Sequence, residues 1–393
     1  MKYQLALEGG GAKGAYHAGV LRALLEHGYE FDAVVGTSIG ALNGVMIAQH
    51  KFLELYELWE NMYFSKLFNF PDEYAEKLAD GQIDVDTLTV LLKNFFTQMR
   101  KGGIDTSKSY EVIKKNVDED LLRESSIRFG LMTYNLTKKT PMPIFIEEIP
   151  RNQVADYVMA SASFPGFKSV IIDDDKFIDG GIHDNLPINM LIDEGYRNII
   201  AIKTGAIAKC QKVNYVNGLN LQYIIPSEKP GRLLDFNAKA IKRGLKIGYY
   251  DGLRFCRKYL GKSYYLKDFD LDKYWGRFND LKKEECQKLY NKIFNIKKSS
   301  IKSDAKNISF DIILIELADV LKLKRVNIED KKNFFVVLLE EIAKYHSVDR
   351  LQVLSVNELI DQIKGRKKAD NKKVGKQKSD KNLVIERAFA CLF

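Results

Sequence analysis

At 393 residues the chain is long for a single core, and the usual roughly 100–200 residues per domain suggests two units or one domain with an appendage. With 46% hydrophobic and 29% charged residues and only 8 prolines it reads as globular rather than disordered, and it holds no apolar run of about 18 residues that would span a bilayer. Its net charge of +9 is largely local, because Asp361 to Lys381 carries nine basic against three acidic residues; with no aromatic-interleaved basic module elsewhere, a nucleic-acid partner is not expected.

In chain order, Tyr3 to Leu7 reads as a buried strand that breaks at Glu8 and three glycines. That apolar run is too short for a secretory signal, so a cytoplasmic location is expected, with peripheral membrane contact left open. Ala15 to Leu25 has helical apolar spacing, Ala33 to Val35 reads as a second strand, and Ala41 to Ala48 as a second helix. Residues 51–124 carry no strand signal and form a helical insertion rich in aromatics, among them Trp59, Tyr63, Phe64, Phe68, Phe70, Phe95 and Phe96. Two readings are open for it, a packed helical layer or a lid over a lipid site. Further strands are predicted at Ile127 to Thr133, Met142 to Glu147, Val170 to Ile172 and Asn198 to Lys203. This alternation predicts an α/β body with a mostly parallel sheet over 1–267.

From about Asp268 the texture turns helical and Lys-rich, with helices at Glu284 to Ile293, Asp311 to Leu323 and Asn333 to His346. The expected scheme is a helical region over 268–363, a basic linker over 364–381 and a short amphipathic tail over 382–393. The basic run is either a solvated linker or a segment drawn to anionic headgroups. Cys210, Cys256, Cys286 and Cys391 form no Cys-x-x-Cys pair and have no neighbouring histidines, so free thiols and no metal site are expected.

Three motifs carry chemistry. Gly36-Thr37-Ser38-Ile39-Gly40 sits between a strand and a helix and fits a nucleophile elbow, in which Gly36 and Gly40 clear space for a sharp turn that presents the Ser38 hydroxyl. Gly9-Gly10-Gly11-Ala12-Lys13-Gly14 satisfies the dinucleotide fingerprint formally, through Gly9, Gly11 and Gly14, with Glu30 and Asp32 as candidate ribose acids. In that fold the acid closes the second strand, whereas here Asp32 is expected to precede it and the Ser38 elbow to close it. The loop reads better as an oxyanion hole built from the backbone N–H groups of Gly9, Gly10 and Gly11 at a helix N-terminus. Ile178-Asp179-Gly180-Gly181 places a carboxylate before two glycines, in a position to enter a site of tight backbone. Of the histidines His17, His27, His50, His183 and His346, only His346 stands in the order expected of a Ser-Asp-His hydrolase.

Taken together, Gly-Gly-Gly-x-Lys-Gly at 9–14, Gly-x-Ser-x-Gly at 36–40 and Asp-Gly-Gly at 179–181 resemble the three blocks of patatin-like phospholipases. The similarity extends from Met1 to about Lys267 and takes in Ile104-Asp105-Thr106-Ser107 and Ala160-Ser161-Ala162-Ser163-Phe164-Pro165. Glu8 stands where many members carry Asp, and the stretch after Pro165 is short of further prolines. The resemblance implies a three-layer α/β/α fold, a catalytic dyad of Ser38 and Asp179 without histidine, and an oxyanion hole on Gly9 to Gly11. It implies hydrolysis of phospholipid or other lipid esters through an acyl-enzyme, with no cofactor or metal. Competing readings are a histidine-dependent serine esterase and a nucleotide-binding module built on Gly9 to Gly14.

Overall fold

The computed structural model describes residues 2–68, 102–294, 308–323, 327, 329–370 and 380–393. Phe70, Phe95 and Phe96 of the insertion and residues 371–379 of the basic run lie outside them. The chain divides into two compact units, Met1–Arg257 and Lys258–Phe393.

In the first unit, β1 (Tyr3–Leu7), α1 (Gly14–Glu26), β2 (Phe31–Thr37) and α2 (Ile39–Ala48) follow the expected alternation. The insertion contributes α3 (Phe52–Glu60), α4 (Phe64–Leu67), α5 (Ser107–Asn116) and α6 (Glu119–Arg123). There follow β3 (Arg128–Asn135), β4 (Thr140–Phe145), α7 (Val154–Ser161), β5 (Val170–Ile172), β6 (Asp175–Asp179), α8 (Ile188–Asp193), β7 (Asn198–Ile202), β8 (Asn220–Ile224) and α9 (Ala238–Arg257). The strands form one eight-stranded mixed sheet in the order β5-β6-β3-β2-β1-β7-β8, with β4 also on β3. The run β3, β2, β1, β7, β8 is parallel, and β4, β5 and β6 add antiparallel pairs.

Strand alternation gives the sheet two apolar faces. On one, Ala6, Ala33, Val35, Ile199 and Ala201 pack with Ile188, Leu191 and Ile192 of α8. On the other, Val34 and Phe129 face Gly44 of α2. Above that layer α1 and α9 cross closely: a Cβ on Gly19 would lie 2.1 Å from the Leu245 carbonyl, and one on Gly248 2.1 Å from that of Tyr16. The result is the predicted α/β architecture with helices on both faces. Asp32 departs from expectation, since it lies inside β2 rather than before it, and there its carboxylate accepts from Gln4 Nε2 at 2.7 Å.

The register along β3 matters most for the site. Gly130 to Met132 pair with β2 and also with β4, so those two strands flank β3 on opposite edges. Thr133 to Asn135 pair with β4 and with β6. Hence β6 lies on the β2 edge, beyond its end. Thr37 pairs with Met132 and Asp179 with the next residue, Thr133, so the two strands run head to head and their last residues meet.

The second unit is helical: α10 (Asp272–Trp275), α11 (Lys283–Phe294), α12 (Phe310–Leu321), α13 (Lys331–Tyr345), α14 (Val356–Asp370) and α15 (Asp380–Leu392), with a parallel pair β9 (Tyr265–Leu266) and β10 (Val353–Leu354). Side-chain caps start two helices, Ser309 accepting from Ile312 N–H and Asp330 from Asn333 N–H. Its core joins Trp275, Phe310, Phe334, Phe335, Leu359 and Phe389. The amphipathic tail buries Ala388, Phe389 and Leu392 in that core, so it docks on its own unit. Residues 364–370, expected to open a linker, instead continue α14.

Candidate active site

Ser38 sits at the strand-to-helix junction with φ 57° and ψ −125°, a conformation that costs a β-carbon-bearing residue roughly 1–3 kcal/mol. Its neighbours explain how the turn is tolerated. A Cβ on Gly36 would lie 2.3 Å from the Gly40 backbone, and one on Gly40 2.3 Å from the Leu7 carbonyl, so both glycines are required by space alone. The Ser38 carbonyl accepts from Ala41 N–H at 2.9 Å and so opens α2. The Ser38 N–H donates to Ser161 Oγ at 2.9 Å, and that hydroxyl donates onward to the Met132 carbonyl at 2.7 Å. Ser161 thereby ties the elbow to β3, a role that nothing in its local sequence signals.

Asp179 ends β6 and reaches the same place from the opposite direction. Its N–H donates to the Ser163 carbonyl at 2.8 Å, its Oδ1 accepts from Gly181 N–H at 2.7 Å, and it is 5% exposed. Burial raises its pKa from 3.8 to about 6, while the nearby Ser38 hydroxyl and the Gly181 N–H oppose that rise. The structure therefore brings Ser38 and Asp179 together, with a carboxyl poised near neutral pH.

The glycine loop passes over them. A Cβ on Gly9 would stand 3.2 Å from Ser38 Cβ. The Gly9 N–H, however, donates to the Asn185 carbonyl at 3.0 Å, which corrects its expected place among free donors. Among the described residues the N–H groups of Gly10 and Gly11 have no such acceptor. Two buried anchors hold the loop. Thr204 Oγ1 donates to the Gly9 carbonyl at 2.7 Å, and Glu8 Oε2 accepts from the N–H groups of Thr204 and Gly205. Lys13 Nζ donates to the Gly205 carbonyl at 3.0 Å, and burial lowers its pKa. In the direction a side chain would take the loop is packed against protein, since Cβ atoms on Gly10 and Gly11 would meet Thr204 Oγ1 at 2.6 Å and the Leu233 carbonyl at 2.2 Å.

Two cavities meet at Ser38. A cleft of about 450 Å³ is lined by Gly9, Gly10, Lys13, Ser38, Asp179 and Asn185 among others. A smaller apolar channel of about 90 Å³ runs from Ser38 past Leu42, Phe68, Met159, Phe167 and Phe236. Leu67 and Phe68 of the insertion thus reach the site. No histidine lines either cavity. His17 is fully buried against Asn43, where burial pushes its pKa down to about 3; His27 meets Ala23 and Arg257, His50 meets Ser126, and His346 packs in the second unit on Tyr345 and Phe389. Among the described residues no cluster of His, Cys, Asp and Glu could hold a metal ion.

The sequence model of the patatin-like phospholipases matches residues 5–192, a span that includes all three motifs. Residues 5–192 of the chain belong to this family. It is a family of serine lipid hydrolases. Among relatives, lysophospholipase NTE1 of Mycosarcoma maydis is 27% identical over 208 residues, 53% of this chain and 10% of that protein. Patatin-like phospholipase domain-containing protein 7 of Mus musculus is 28% identical over 219 residues, 55% of this chain and 14% of that protein. The similarity thus spans a small part of each relative. Among solved structures, VipD from Legionella pneumophila aligns with a TM-score of 0.42 at 16% identity, covering 100% of this chain and 91% of that one.

Proposed function

We propose that the chain is a phospholipase A-type acyl hydrolase working through Ser38 and Asp179 without histidine. The observation that carries this reading is the meeting of a serine at a strained elbow with a buried carboxyl whose pKa stands near 6. Asp179 takes the Ser38 proton as Oγ attacks the ester carbonyl, and the N–H groups of Gly10 and Gly11 receive the charge forming on the carbonyl oxygen. Collapse expels the alcohol, which leaves with the proton from Asp179, and the acyl group stays on Ser38. Water, deprotonated by Asp179, then releases the fatty acid and restores the serine. The apolar channel suits the acyl chain and the cleft suits the rest of the ester, which supports lipid esters as substrates. Family members named lysophospholipases support the same substrate class.

The histidine-esterase and nucleotide-binding readings have less support. None of the five histidines lines the cleft or the channel, and Asp32, the candidate ribose acid, is held by Gln4 inside β2. Turnover of a short-chain chromogenic ester by wild-type, Ser38→Ala and Asp179→Ala proteins tests the proposal. Near wild-type turnover by the Ser38→Ala protein refutes it.

A further inference from the structure

The mouth of the Ser38 cleft is ringed by apolar side chains that the fold leaves in solvent. Ile207 is 106% exposed, Leu234 49%, Phe164 44% and Ile182 39%. They come from four separate segments, after α7, after β6, after β7 and after β8, and each lines the cleft or the channel. Fold stability gives no reason for Ile207 to be there, because it buries nothing. Scattered single exposed apolar residues are ordinary on a protein surface, whereas a ring of them around one opening marks an interaction site.

Exposed cations stand in the segments around the same opening. Lys209 follows the cleft residue Ala208, Arg232 precedes Leu233, and Lys168 follows Phe167 of the channel; all three are exposed. Lys229, also exposed, lies close enough to the cleft residue Lys13 to act on its charge. Acids in the same segments have partners: Glu228 pairs with Arg243 at 2.5 Å, and Asp235 accepts from the backbone N–H of Arg232 itself at 2.8 Å. Among the described residues none of these four cations sits in an ion pair.

We propose that this rim is a lipid-docking surface, with Phe164, Ile182, Ile207 and Leu234 entering an anionic bilayer while Lys168, Lys209, Lys229 and Arg232 meet its headgroup phosphates. Apolar tips flanked by cations match the depth order of such a surface, acyl region inside and phosphate outside. A bilayer is favoured over a protein partner because the ring surrounds an opening. A rigid partner would close the route to Ser38, whereas a membrane supplies the ester through it. The inference rests on the lipid-hydrolase reading of the cleft and is tested without hydrolysis.

Full-length Ser38→Ala protein is floated with vesicles of phosphatidylcholine alone, and of phosphatidylcholine mixed with phosphatidylglycerol, at low and high salt. Binding is expected on the mixed vesicles at low salt, weakening as salt rises. Adding Ile207→Glu, a change at a fully exposed site, is expected to weaken partitioning on the order of tenfold or more, since it removes one buried aliphatic side chain and adds repulsion. Changing Lys168, Lys209, Lys229 and Arg232 together to Gln is expected to reduce mixed-vesicle binding to the level of the neutral vesicles. Partitioning by either variant equal to that of its parent overturns the proposal. So does a lack of vesicle binding by the parent, or binding lost only on neutralising the lysines between Lys364 and Lys381. Esterase turnover by the single Ser38→Ala protein would instead overturn the hydrolase reading and leave the docking result standing.

Discussion

Replacing Asp179 by Asn should stabilise the protein at neutral pH while abolishing activity. In the fold the carboxyl has a pKa of about 6, against 3.8 in the unfolded chain, because burial disfavours the charged form. The native state therefore holds the proton more tightly than the unfolded one. The stabilising contribution of the protonated form is complete below pH 3.8 and is lost as pH rises through about 6. At 1.36 kcal/mol per tenfold difference in proton affinity, the ionised carboxylate costs about 3 kcal/mol at pH 7. Asn carries no charge and keeps an Oδ1 to accept from Gly181 N–H, so it escapes that cost. With roughly 2–4 °C of Tm per kcal/mol for a domain of this size, the Asp179→Asn protein should melt on the order of 10 °C higher at pH 7. The gap should close below pH 4, and comparing two otherwise identical proteins cancels the titration of every other carboxyl. A gap independent of pH between 4.5 and 7.5, or a less stable variant at pH 7, would refute the reasoning. In parallel, wild-type kcat/KM should rise with pH through a single limb centred near 6, since only the ionised carboxylate accepts the Ser38 proton.

Ser38→Ala and Asp179→Ala should each abolish ester turnover, and the double variant should be little worse than either, because groups acting as a unit are not additive. Steady-state assays with circular dichroism to check folding are sufficient. His183→Gln should leave kcat within a few-fold; a loss of about 10²–10⁴, the usual worth of a general acid or base, would favour a histidine-dependent mechanism. Ser161→Ala removes the acceptor for Ser38 N–H and the donor to Met132, leaving two backbone groups unpaired at about 1–3 kcal/mol each. Its kcat should fall with KM little changed, and a KM effect alone would argue against a positioning role. Gly180→Ala would put a methyl 2.3 Å from the Met132 carbonyl, so it should displace Asp179 and reduce kcat by at least tenfold, as read by single-turnover kinetics.

The parts legible in the sequence were those with local signals. Buried runs such as Tyr3 to Leu7 and Asn198 to Ile202 announce parallel strands by composition alone, and the glycines flanking Ser38 announce a turn in which a side chain would clash. Strand β8 was missed because its alternation is weak: Gln222 and Tyr223 at the sheet edge are partly exposed. Helix α9 was missed for a different reason. Its buried face mixes Ile241, Leu245 and Ile247 with Gly244, Gly248 and Gly252, and these glycines disfavour helices in isolation but here admit α1 at backbone distance. Ser161, Asn185 and Thr204 escaped because their partners lie 123 to 196 positions away, where no periodicity connects them. The same remoteness hid the engagement of Gly9 N–H, which only the fold could reveal.

The sheet supports the proposal that an acid stands in for an imidazole here. In a triad the histidine spans the gap between serine and carboxylate. Here β2 and β6 end at consecutive residues of β3, Met132 and Thr133, so little gap remains to span. Closeness alone would leave a weak base, because a solvated aspartate near pKa 3.9 has little hold on a hydroxyl proton. The head-to-head arrangement solves that as well, since an acid at the end of a strand that abuts another strand is covered on both sides. Its basicity rises with burial, but each hydrogen bond to the charged form draws it back. Two such partners, Ser38 and Gly181, leave it near 6, ionised at neutral pH and yet more basic than a surface carboxylate. The requirement for tight backbone at Gly36, Gly40 and Gly180 then follows, because any side chain there would push the two strand ends apart.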